Sequence, residues 1–229
     1  MTTRKRKPKK RSLWLLVMFL IGSGLILVAL TQNFSVTHLG DAARRGMTAD
    51  SVQRATKAAA GETAPFNYAK TSQLTPLAVA GYGLRELTGT ETYGAVGQLR
   101  VPAVGLNLPI GIGVGNNTLV RGAGTLKANQ RMGQGNYALA GHYMTSKRIL
   151  FSPLKGVRNG DSIYLTDKQQ LYRYRVTRVQ VVDRHRVDVI DDVPGKKLVT
   201  LVTCASAKRG EPKRLVVQGE LRSVTADRV

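Results

Sequence analysis

The sequence predicts a mostly-β domain, a closed or nearly closed barrel, behind an N-terminal transmembrane helix. Three observations predict it. A basic tail runs into an uncharged apolar stretch; a polar, Ala/Thr-rich segment follows; and eight short apolar runs, punctuated by Gly, Pro and Asn, then fill about 125 residues.

Residues 4–11 hold seven Lys and Arg in eight positions, and Leu13–Leu30 has no ionisable side chain over 18 residues. At about 1.5 Å per residue such a helix just spans a hydrocarbon core of ~30 Å. Basic residues before the run and none close behind it put the N-terminus in the cytoplasm and the rest outside. A cleaved signal peptide competes with this reading, but its apolar region is normally about 7–15 residues and ends on a small-x-small site. Val28-Ala29-Leu30-Thr31 is a poor site of that kind. We therefore divide the chain into a basic tail (1–12), a signal anchor (13–31), an extracytoplasmic stalk with helical turns near Asp50–Ala60 and Leu77–Leu87 (32–92), and a folded domain (93–229).

Within that domain the runs VGQLRVP, LNLPIGIGV, NYALAGH, SIYL, LYRYRVTRVQVV, DVID, KLVTLVTC and RLVVQGEL read as strands separated by turns. No long helical period lies between them, which favours barrel closure. Tyr172 and Tyr174 alternate with Arg173 and Arg175, as in a strand with tyrosines inward. The spacing from Val176 to Val179 breaks the period of two and predicts a bulge.

The net charge is +21, and the tail takes seven of it, leaving +14 outside. No zinc spacing, recognition helix or RNA-binding strand signature accompanies that charge, so nucleic acid is not the expected partner. One Cys excludes a disulfide within the chain. No carboxylate occurs in the 69 residues between Glu91 and Asp161, so the first half of the barrel cannot build a Ca²⁺ or Mg²⁺ cage by itself. Three scattered His and one Cys do not make a zinc site either; no metal or cofactor is expected.

Cys204 closes the run Lys197–Cys204, where strand texture gives way to a loop. A lone thiol is often only a small buried hydrophobe. In an exported protein, however, it is an oxidation hazard, and strand ends are where rigid scaffolds display functional side chains. A thiol nucleophile needs a base and an oxyanion donor. His38 belongs to the stalk and His185 to the charged run Asp183–Arg186; His142 ends the NYALAG strand and is the candidate imidazole. Arg214 opens the next strand after a loop from Ala205 to Lys213, so pairing of the two strands brings guanidinium and thiol to one end of the sheet. Arg is permanently charged and offers several donors in a plane. Arg209, in the loop, is the rival and reads as solvated.

The segments Thr200-Leu201-Val202-Thr203-Cys204, Arg214-Leu215-Val216-Val217 and Ala140-Gly141-His142, in this spacing and behind an anchor, resemble the signature of the sortases, the cysteine transpeptidases of Gram-positive cell surfaces. The resemblance runs from near Val96 to Leu221. It implies an eight-stranded sortase-type β-barrel with short helices. It also implies that Cys204 attacks the Thr–Gly carbonyl of an LPXTG-type sorting signal to form a thioacyl enzyme. An amine, typically the cross-bridge of the lipid II peptidoglycan precursor, resolves that intermediate. By the same resemblance His142 shuttles the proton, Arg214 stabilises the oxyanion and Thr203 assists through its hydroxyl. The N-terminal anchor, and only eight residues after Leu221, resemble class A, and activity is expected without calcium. Val189, Ile190 and Val193 in DVIDDVPGKK are expected to contact the Leu and Pro of the signal, opposite a wall at Ala103–Leu108. Two other readings compete: a hydrolytic cysteine peptidase, and a non-catalytic anchored module that binds anionic wall polymer.

Overall fold

The structure is a computed structural model that describes residues 10–59, 81–82 and 93–227. Helix α1 (Lys10–Arg45) is followed by α2 (Ala49–Ala59) and then by eight strands: β1 (Gly97–Val101), β2 (Leu106–Gly111), β3 (Ala123–Thr125), β4 (Asn136–Ala140), β5 (Ser162–Thr166), β6 (Gln170–Asp183), β7 (Leu198–Cys204) and β8 (Lys213–Ala226). A short helix, α3 (Asn116–Arg121), crosses between β2 and β3.

The strands close a barrel in the order β1-β2-β3-β4-β7-β8-β6-β5. The β2–β3 and β4–β7 pairs are parallel and the others antiparallel. Closure gives every strand a neighbour on each side, though β3 meets β2 and β4 over only two positions each. Leu99, Ile110, Leu139, Ile163, Leu165, Tyr174, Leu201 and Val217 fill the interior. The Tyr/Arg alternation falls as expected, with Tyr174 buried and Arg173 and Arg175 in solvent. The β6–β8 register shifts between Val176 and Arg178, where the broken period predicts a bulge.

Two strand assignments differ from the sequence reading, although the total of eight stands. DVID is not a strand: Val187–Ile190 is a 3₁₀ turn, closed by Asp191 N–H donating to Asp188 O at 3.1 Å. Four residues with two carboxylates have no face to bury along a ladder. The eighth strand is β3, only Ala-Gly-Thr, which carries no propensity of its own. It exists because the barrel needs a rung between β2 and β4, a tertiary demand invisible in three small residues.

The segment after the apolar run also differs from a free stalk. Helix α1 continues unbroken to Arg45 and lays Val36 and Leu39 against Val120 and Leu150, while Met47 and Val52 pack with Ala95. Helix α2 covers the expected turns near Asp50–Ala60; those at Leu77–Leu87 lie, but for 81–82, outside the described residues. Among the described residues no helix is long and apolar enough to cross a membrane.

Candidate active site

Three neighbouring strands build the site. In the β4–β7–β8 sheet Ala140 stands opposite Val202, and Val202 opposite Val216. Two residues further along the same face, Cys204 pairs with Arg214 across the antiparallel ladder. Two residues beyond Ala140, just past the last register pair, comes His142, and Gly141 N–H still donates to Val202 O at 3.2 Å. Adjacent strands lie about 4.8 Å apart, and side chains two residues apart share a face. The sheet thus brings the residues His142, Cys204 and Arg214 to one end of three neighbouring strands, on the outside of the barrel.

His142 is held by its own loop. Phe151 N–H donates to His142 O at 3.0 Å, Tyr143 bridges to Leu150, and Ser152 Oγ accepts from Met144 N–H at 2.7 Å. Gly141 must lack a side chain because a Cβ there would lie 2.5 Å from the Phe151 ring. His142 is 8% exposed, and its Nε2 is buried with no hydrogen bond among the described residues. Burial pushes its pKa down to about 4, because desolvation disfavours the charged form, so the imidazole is neutral near pH 7. Cys204 is half-buried, with its thiol free.

Arg214 is fixed by the β7–β8 loop. Its Nη1 donates to Glu211 O at 2.7 Å and to Lys213 O at 3.2 Å. Ser206 Oγ donates to Glu211, whose carboxyl is held below the usual range first by that bond and then by the Lys213 N–H. Arg209 is exposed in the same loop, and His185 is exposed with Nδ1 2.7 Å from Asp183 Oδ1. His38 is exposed on α1.

Beside His142, Cys204 and Arg214 runs an apolar floor of Ala138, Ala140, Val202 and Val216, joined by Val114, Leu119 and Leu126. Val189 and Ile190 pack onto it from the 3₁₀ turn, whereas Val193 is 42% exposed further along that loop. The stretch expected as the opposite wall lies elsewhere. Leu106 joins the barrel interior, and Leu106–Leu108 line a cavity of about 320 Å³ against α1. Residues of the β2–β3 crossover, Val114 and Leu119, stand there instead. Thr203 alternates to the inner face; it is fully buried, and its hydroxyl donates to Gly141 O at 2.8 Å. It ties β7 to the residue before His142 and has no hydroxyl to offer on the Cys204 side.

Sequence reasoning missed the polar residues beneath the loop: Asn136, Thr200 and Gln218, linked by hydrogen bonds of 2.7 and 3.2 Å. Polar side chains at outward positions of otherwise apolar strands were the available signal. Among the described residues no three His, Cys, Asp or Glu side chains gather at one point.

A family model, the sortase domain, matches residues 99–222. Sortase A of Streptococcus agalactiae is 47% identical over 131 residues, which is 55% of this chain and 52% of that protein. Sortase A of Bacillus anthracis is 44% identical over 126 residues, 55% of this chain and 59% of that one. The chain thus spans about half the length of the curated relatives it matches. Among solved structures, sortase A of Listeria monocytogenes has a TM-score of 0.56 at 41% identity, covering 58% of this chain and 90% of that one. Sortase C-1 of Actinomyces oris has a TM-score of 0.54 at 26% identity, covering 76% and 97%.

Proposed function

Since the chain belongs to the sortase family, with likenesses that favour class A, we propose that it is a membrane-anchored cysteine transpeptidase that cleaves LPXTG-type sorting signals between Thr and Gly. It then attaches the surface protein to an amine of the peptidoglycan precursor. The observation that carries this reading is that His142, Cys204 and Arg214 share one end of three neighbouring strands.

The steps follow from the chemistry of each group. The Cys204 sulfur bonds to the threonine carbonyl carbon while its proton passes to the neutral imidazole of His142. The carbonyl oxygen becomes an oxyanion, which the Arg214 guanidinium stabilises as its charge develops. The threonine–glycine bond breaks, the glycine amine leaves with the proton from His142, and a thioacyl enzyme remains. The incoming amine attacks that carbonyl, gives a proton to His142 and releases the thiol. Val189 and Ile190 face the apolar floor, where the Leu and Pro of the signal would lie, with Val193 at the rim. Thr203 acts by fixing the backbone before His142.

The anchor is the run Leu13–Leu30 within α1, with the basic tail in the cytoplasm and the barrel outside in a single pass. The described apolar side chains Trp14–Ile21 and Ile26 are exposed, as a lipid-facing helix requires.

The test is the mass of the adduct on Cys204 after incubation with an LPXTG peptide, with and without an added amine. A threonyl thioester that the amine converts to a new amide is the expected result. Water as the sole acceptor would make the chain a hydrolytic peptidase. No adduct, together with wall binding that survives Cys204→Ala, would leave it an anchored binding module.

A further inference from the structure

The β6–β7 loop carries one wall of the proposed groove, yet it has little apolar packing to hold it. Across residues 184–197 only Val189 and Ile190 are shielded from solvent. What fastens it is polar, and centres on one side chain.

Asn136, 1% exposed at the first position of β4, donates through Nδ2 to Val189 O at 3.2 Å and to Asp191 O at 3.1 Å. Its Oδ1 accepts from Thr200 Oγ1 at 2.7 Å, and Thr200 Oγ1 in turn accepts from Gln218 Nε2 at 3.2 Å. The two loop carbonyls can only face the amide nitrogen, so the orientation of the side chain is fixed by its surroundings. The Asn136 backbone N–H donates to Asp192 Oδ1 at 2.6 Å, and Lys127 Nζ reaches the same oxygen at 2.7 Å. Gly135 makes room for that carboxylate: its φ is +49°, and a Cβ there would lie 2.6 Å from Asp192 Oδ1. Both amide donors and the acceptor of one buried side chain are thus spent between the floor of the sheet and the loop, in a setting where an unmade hydrogen bond is costly.

We propose that Asn136 is a positioning residue that holds the β6–β7 wall of the substrate groove in place before substrate arrives, with Thr200 and Gln218 bracing it from the sheet. A wall set in advance spares the peptide the entropy of ordering it, so the residue acts on binding and leaves the chemistry alone. The inference rests on the groove reading above for the identity of the substrate.

Hydrogen exchange of the full-length protein without peptide, paired with kinetics on an LPXTG peptide, tests it. In Asn136→Ala, exchange at residues 187–193 is expected to rise about tenfold, the scale of one lost buried hydrogen-bonding partner, while β7 exchanges as in the wild type. KM is expected to rise about tenfold with kcat within about twofold, as when binding alone is lost. A folded Asn136→Ala with unchanged loop exchange, or with a fall in kcat at constant KM, overturns the proposal. Should that variant not fold, Thr200→Val, which removes the donor to Asn136 Oδ1 at constant shape, decides it by the same two readouts. Should the wild type turn over no LPXTG peptide, the function proposed above fails and the exchange comparison still decides the role of Asn136.

Discussion

On the inner face of the β4–β7–β8 sheet Leu139, Leu201 and Val217 stand side by side with no exposure at all. One residue along, on the outer face, Ala140, Val202 and Val216 form a shallower row that ends in His142, Cys204 and Arg214. The inner row is uniformly apolar and makes the barrel. The outer row mixes small apolar residues with polar ones, Thr200 and Gln218 included, and is completed by segments from α3 and the β6–β7 loop. The same strands therefore do two jobs, separated only by the alternation of side chains along a β-strand. Thr203 shows how sharp the division is: next to Cys204 in sequence, it faces the other way and serves the scaffold.

That contrast is broken most directly by exchanging one residue on each face. Leu201→Ala is expected to cost about 2–5 kcal/mol of stability through the cavity it leaves, with turnover per folded molecule retained. Cys204→Ala should abolish turnover and shift the denaturation midpoint little. Chemical denaturation and peptide turnover on both variants check this; a Leu201→Ala protein that is stable yet inactive would erase the distinction.

The second effect concerns pH. His142 has its folded pKa lowered to about 4 by burial, against 6.5 unfolded. Between those values the unfolded chain binds the proton that the folded one refuses, so stability rises with pH across the window and is lost as pH falls from about 6.5 towards 4. The full window amounts to ~3 kcal/mol. Denaturant midpoints from pH 7 to pH 4.5 should fall, and His142→Gln should flatten that slope relative to the wild type. An unchanged slope would mean that the imidazole is better solvated than its burial implies.

The smallest effect sharpens the comparison at its boundary. Thr203→Val keeps shape but removes the donor to Gly141 O, at an expected cost of about 1–2 kcal/mol. If Thr203 serves only the scaffold, kcat/KM changes by no more than a few fold. A loss of several hundredfold would mean that the β4–β7 tie also sets the geometry of His142.

Much of this was legible in the chain. Strand runs announce themselves in different ways: Gln170–Asp183 by alternation, Leu198–Cys204 as a continuous apolar run buried on both faces, and Lys213–Ala226 by its apolar first half. Cys204, His142 and Arg214 could be singled out because each ends or opens such a run. DVID and Ala123–Thr125 could not be sorted the same way. The first has β-branched residues that are adjacent rather than alternating, and the second has no propensity yet is required by closure. Asn136 was hidden because an Asn at the start of a strand looks like a turn residue until the loop that it holds is seen above it.

By itself the sequence determined seven of the eight strands, the basic tail ahead of an uncharged run, and which side chains could supply a nucleophile, a base and an oxyanion donor. These follow from local periodicity and from the chemistry of single residues. Only the tertiary structure decided that Leu106–Leu108 face α1, that Val114 and Leu119 border the floor, and that Thr203 turns inward. It also decided that a buried amide is bonded to two carbonyls of the β6–β7 loop. Those depend on which strands become neighbours when the barrel closes, and pairing between segments as distant as Asn136 and Leu198 leaves no trace in the local pattern of either.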